Sequence, residues 1–170
     1  MFDKQGALVA WASYKFPFHA PQSDHQNAKE FMGLIVCIIV IRVVLKANKG
    51  STLHWRGDNK AALSWANDEK GRSSTAQAAF TAFSWIIIRS GLRLVPAEHI
   101  AGASEEMKDC DDLSRERPVP SLDRNLEIIL ASIPGVDELF SLCSPLREST
   151  VLQEHCVLFE KLSNVINSLF

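Results

Sequence analysis

Residues 31–45 read FMGLIVCIIVIRVVL, an apolar run in which Arg42 is the only charge. Ser23, Asp24 and Asn27 stand ahead of it as helix caps. The β-branched content suits a strand as well as a helix, so periodicity alone does not decide. Length does: residues 28–46 are too many for one strand, and the pattern predicts a helix. That helix belongs in a protein core. A membrane-spanning helix needs about 20 apolar residues, and a central arginine costs roughly 2.5–3.5 kcal/mol on insertion.

Elsewhere the pattern changes every ten residues or so. Residues 7–14, ALVAWASY, predict a short strand, and Pro17 and Pro21 after it an edge or a turn. Asn48 to Ser51 is a turn signal. Residues 52–56, TLHWR, predict a strand that ends in Gly57-Asp58-Asn59, a cap for a helix over 60–67. A polar loop over 69–74 leads to a second helix over 75–90, with Phe80, Phe83, Trp85 and Ile87 as its apolar surface and Gly91 as its C-cap. Residues 92–95, LRLV, alternate as a strand does. A loop through Gly102 is expected over 99–108, and a last element opens at 109–114.

After Arg115 the segment ERPVP breaks the pattern. Helical patches at 122–132 and 151–170 follow, separated by Pro134-Gly135 and Pro145. Strands alternating with helices predict an α/β sheet layered by helices. The expected organisation is one α/β domain over 1–115 and a helical C-terminal extension over 116–170.

Composition narrows the function classes. With 170 residues, 46% hydrophobic and 22% charged, the chain is globular and fits one domain of ordinary size with an appendage. A net charge of −2 gives no broad basic field, so a polyanion would be held through a local patch or through metal. Cys37, Cys110, Cys143 and Cys156 are widely spaced and form no CxxC pair. That argues against a zinc site and a disulfide framework, and for an intracellular setting, cytoplasmic or nuclear. The start, MFDK, has no signal-peptide pattern, and no membrane partner is expected.

The chemistry rests on three acids. Glu30 lies on the first helix, Asp58 at the end of a strand, and Asp111 in the last element. Acids gathered at strand ends and on a packed helix repel one another and need a cation to stay ionised together. Oxygen ligands select Mg2+ or Mn2+. Two such ions can activate water in phosphodiester cleavage. Singly, each acid has a plainer role: Glu30 complements the helix dipole, Asp58 caps a helix, and Asp111, beside Asp109 and Asp112, belongs to a solvated face. His99 reads as structural, hydrogen-bonded in its turn. Trp11, Trp55, Trp65 and Trp85 read mostly as core. Arg56, Lys60, Lys70 and Arg72 suit either phosphates or solvent.

Taken in order, these pieces resemble a known family. Glu30, then Asp58-Asn59-Lys60-Ala61-Ala62-Leu63, then His99-Ile100-Ala101-Gly102, then Cys110-Asp111-Asp112-Leu113-Ser114-Arg115 are similar to the ribonuclease H domain of reverse transcriptases from long-terminal-repeat and tyrosine-recombinase retroelements. The resemblance covers residues 7–115. It implies a ribonuclease H-like mixed sheet with flanking helices and Mg2+- or Mn2+-dependent cleavage of RNA in RNA–DNA hybrids. Glu30, Asp58 and Asp111 would be both catalytic and metal-binding. Met107 stands where the family usually has Asn, and the stretch from Gly102 to Asp111 is longer than usual. The family's first acidic strand is expected to be missing here or reduced to a stub, with Asp3 a poor substitute. Hybrid cleavage by this chain alone is therefore expected to be weak or lost. The alternative is a noncatalytic retroelement remnant that serves at most as a nucleic-acid or protein interaction module.

Overall fold

The computed structural model describes residues 1–13, 23–68, 74–143 and 152–170. The apolar run forms α1, Ser23–Ile39, and continues as a π-helix over Val40–Val44. Phe31, Leu34, Ile35, Ile38 and Ile39 recur at three- and four-residue steps, and each is at most 1% exposed. One stripe of an all-apolar run is thus fully inside, as helical geometry requires. No helix among the described residues is long and apolar enough to cross a membrane.

Two further helices cover α1. They are α2, Lys60–Asp68, and α3, Ser74–Ser90. α3 presents Ala79, Ala82, Phe83 and Ile86 at the same helical steps, all buried. Gly91 ends it with φ 65°, and its N–H reaches the carbonyls of Ile87 and Ile88. That left-handed turn suits glycine. The buried Ser90 hydroxyl donates to Ile87 O at 2.8 Å and accepts from Leu92 N at 3.1 Å.

α2 and α3 form the crossover between parallel strands. β1, Thr52–Leu53, pairs with β3, Arg93–Leu94, and β2, Arg56–Gly57, pairs with β4, Glu98–His99. Parallel pairing needs a helical crossover of this kind. Two residues separate β1 from β2, whereas three separate β3 from β4. The extra residue lies in Val95-Pro96-Ala97, where Pro96 has no N–H to give the ladder. Asn67, near the end of α2, repairs the break. Its side chain accepts from Ala97 N at 2.6 Å and donates to Ala97 O at 3.1 Å.

A short helix, α4, Glu105–Ser114, follows β4. The loop expected over 99–108 is therefore shorter, because a helix begins at Glu105. Residues 7–13 form no strand of the sheet. Trp11 instead makes an isolated parallel bridge with Glu127, with Trp11 N donating to Leu126 O at 2.9 Å and Ile128 N to Trp11 O at 2.8 Å. Residues 14–21 of the expected strand and its extension lie outside the described residues. Asp3 organises its own turn, its Oδ1 accepting from Gln5 N and Ala7 N, both at 2.9 Å.

The C-terminal segment joins the core. Residues 122–132 form 3-10 turns at Arg124–Leu126 and Leu130–Ser132, not the helix expected. Asp123 accepts from Asn125 N at 2.8 Å, a local bond that competes with helix. α5, Val136–Leu142, and α6, Leu152–Leu169, come next. α6 packs on α3 and α5, with Leu162, Val165, Ile166 and Leu169 buried in the same apolar cluster as α1. Cys143 also lies in that cluster, and burial pushes its thiol up to about 12. The architecture is mixed α/β, with two-residue parallel strand pairs on a helical core.

Candidate metal site at the strand ends

β2 delivers Asp58 to the mouth of the crossover. Its carboxylate lies against Gly102, in the turn after β4, where an added Cβ would come within 2.7 Å of Asp58 Oδ2. Any larger residue at 102 would displace that carboxylate. Asn59, next in sequence, caps α2, with Ala62 N donating to its Oδ1 at 3.0 Å. Its Nδ2 donates to Asn27 Oδ1 at 3.0 Å, which ties the start of α2 to the first turns of α1.

Glu30 lies three residues beyond Asn27, and residues at that spacing share one face of a helix. Its carboxyl is half-buried and accepts from Gln26 Nε2 at 3.0 Å. Burial pushes the Glu30 carboxyl above its ordinary value, the Gln26 bond opposes this, and the Asp58 charge adds to it. The fold therefore brings two of the three sequence-derived acids into electrostatic contact.

The third acid is held differently. Asp111 lies inside α4, where Arg115 Nε donates to its Oδ1 at 2.9 Å. Its neighbours are engaged too: Arg117 Nη1 donates to Asp112 Oδ1 at 3.2 Å, and Ser121 Oγ donates to Asp109 Oδ2 at 3.2 Å. The α4 side chain that feels both Glu30 and Asp58 is Cys110. Desolvation raises its thiol most, the Met1 amino group opposes this, and Asp109, Asp58 and Glu30 raise it further. The residue as a whole is exposed. Asp111, the next residue of α4, is displaced about 100° around the helix from Cys110.

Among the described residues, no group of three or more His, Cys, Asp or Glu side chains is placed to hold a metal ion. Glu30 and Asp58 are carboxylates, the ligand type that a hard cation takes. Mg2+ is commonly bound by one or two carboxylates with water completing its shell. A cation there would oppose both the burial and the Asp58 charge that raise Glu30.

Other candidates fall into place around this pair. His99 is exposed and lines an open groove of about 380 Å³ with Lys60, Leu63, Ser64, Asn67 and Ala97. No side-chain hydrogen bond holds it among the described residues, contrary to the expectation of a bonded ring. Arg56 Nε donates to Glu98 Oε2 at 3.1 Å. Lys70 and Arg72 lie outside the described residues. Trp55, Trp65 and Trp85 pack against the core, and Trp11 Nε1 donates to Asp123 O at 2.8 Å.

Sequence reasoning missed the Asn27–Asn59 bridge and Cys110. The i,i+4 spacing of Gln26 with Glu30, and of Asp111 with Arg115, was a signal for those two contacts. No sequence signal pointed to Cys110. No family model matches the chain, and no curated protein or solved structure matches it.

Proposed function

We propose that this protein is a retroelement-derived ribonuclease H-like domain whose cleavage of RNA in RNA–DNA hybrids is weak. The observation that carries the reading is the Asn59–Asn27 bond, which ties the strand end that bears Asp58 to the helix that bears Glu30. The Gly102 turn closes against Asp58. Glu30 and Asp58 would hold one Mg2+ or Mn2+. A bound divalent cation would supply charge neutralisation and Lewis acidity at a phosphodiester.

Two features argue for weak turnover. The Asp111–Arg115 pair is an exposed i,i+4 contact, worth about 0.3–0.5 kcal/mol, which a divalent cation can displace. The larger handicap is position, since Asp111 sits within α4 rather than at a strand end. Misplacement of a reacting group by about 1 Å can cost a hundredfold in rate. A noncatalytic nucleic-acid module is the second reading, favoured by the local partners that engage Asp109, Asp111 and Asp112.

The test is a labelled RNA–DNA hybrid incubated with Mg2+ or Mn2+ and either the wild-type chain or Asp58→Asn. Slow, metal-dependent cleavage lost in Asp58→Asn is the expected result. Equal background in both proteins sinks the enzymatic reading and leaves the noncatalytic one.

A further inference from the structure

The opposite end of the strands carries the opposite charge. Between residues 31 and 57, and again between 74 and 97, the chain contains no Asp or Glu. The first stretch ends α1 and leads into β1, and the second ends α3 and leads into β3. The pairing of β1 with β3 brings the starts of these two strands together: Gly50 N donates to Gly91 O at 2.7 Å and Arg93 N to Ser51 O at 2.9 Å. The Lys49 side chain crosses Gly91, with its Cγ 3.1 Å from where a Cβ would stand.

Arg42, Lys46, Lys49, Arg89 and Arg93 therefore gather at the N-terminal edge of the strands. The last four are exposed, and no ion pair engages them among the described residues. Arg89 reaches the Asn167 side chain, a neutral partner. Arg42 is half-buried. Its Nη1 donates to Ala47 O, while its Nε is buried without a partner. A guanidinium so placed carries a desolvation cost that one carbonyl does not offset. An anion brought to this edge would reduce that cost.

We infer that this edge binds the phosphate backbone of a nucleic acid. The site is distinct from the Glu30–Asp58 pair and does not depend on cleavage. An extended polyanion fits better than a small one, because the cations spread along an edge. Nucleic acid fits better than a lipid surface, because the edge also offers Asn48 and two exposed arginines, Arg89 and Arg93, which are backbone-phosphate donors. Leu45 and Ile88 are its exposed aliphatic residues, and singly exposed apolar side chains are ordinary. With a net charge of −2 overall, the basic edge makes the molecule dipolar.

The test is fluorescence anisotropy with labelled single-stranded RNA in EDTA across a salt series. The variant is Lys46→Asn/Lys49→Gln/Arg93→Gln, with Asn chosen because Lys46 has φ 52°, a region Asn tolerates. Wild type should bind with an affinity that falls linearly in log salt. The triple variant should lose about two units of that slope, equal to about a hundredfold at 0.1 M salt. Asp58→Asn should bind as wild type does. Should the triple variant unfold by circular dichroism, Arg93→Gln alone should lower the slope by about 0.7. An unchanged slope in the folded variant overturns the inference. So does pelleting with phosphatidylserine vesicles in place of RNA binding.

Discussion

At Phe31 the molecule is closed by burial, and at Asn59 it is closed by hydrogen bonds. Phe31 has no exposed surface, and its ring meets Phe80 at 4.9 Å, Phe83 at 5.2 Å and Trp65 at 5.9 Å. Around Asn59 the strands are two residues long, and side-chain amides complete what the ladder leaves open. The difference separates stability from chemistry. Burial is non-directional and proportional to area, so the helical layer can carry most of the folding energy. Hydrogen bonds are directional and individually modest, so the strand ends fix where Asp58 and Glu30 point without holding the protein together. Substitutions in the two regions should therefore differ in size and in kind.

The largest effect is expected at Phe31. Phe31→Ala removes a fully buried ring from a cluster of aromatic neighbours and leaves a cavity, at a cost of about 3–5 kcal/mol. Urea denaturation should show the midpoint falling steeply. A loss under about 1 kcal/mol would break the comparison, because the helical layer would then not be the main source of stability.

Asn59→Ala should cost less, about 1–2 kcal/mol, because it removes a helix cap and one side-chain hydrogen bond. Asn27→Ala removes only the second of these, so it should cost about 0.5–1.5 kcal/mol. The double variant sharpens the point: on urea denaturation it should be no less stable than Asn59→Ala by more than about 0.5 kcal/mol, since the shared bond is lost only once. A cost at Asn59 equal to that at Phe31 would mean the strand ends are structural rather than positioning.

The sequence made the helical layer legible and the strand layer only in part. α1 and α3 were readable because length and apolar steps agree, and Gly91 marked a C-cap that its φ of 65° bears out. Asp58-Asn59 was readable as a strand end followed by a cap. α4 was not readable from residue 105, because Met107, Cys110 and Leu113 are few apolar residues among the acids of EEMKDCDDLS. The apolar run in residues 7–14 suggested a strand but carries no information about its partner, and Trp11 meets Glu127 rather than the sheet. The setting of Asp111 was hidden for a related reason. Its order in the motif places it near the site, whereas the fold has Arg115, one turn on, donate to its carboxylate.

The smallest effect is expected at Glu30, and it should have the opposite sign. Burial, helped by the Asp58 charge, raises the Glu30 carboxyl above its ordinary 4.5 in the folded protein. The folded state then holds a proton more tightly than the unfolded chain does. The stabilisation this gives is fully present below the unfolded value and is lost as pH climbs through the raised, folded value. At neutral pH the ionised Glu30 is thus a cost, carried by a half-buried residue with one amide donor, Gln26, at 3.0 Å. Glu30→Gln keeps an acceptor for Gln26 and removes the charge. It should melt at most a few degrees higher than wild type at pH 7 and equally with it near pH 3. A lower melting temperature at pH 7 would show that the Glu30 charge is satisfied in place, and that the strand ends stabilise the fold as the helical layer does. The expected gain would instead mark Glu30 as a residue kept at some cost to stability, as site residues often are.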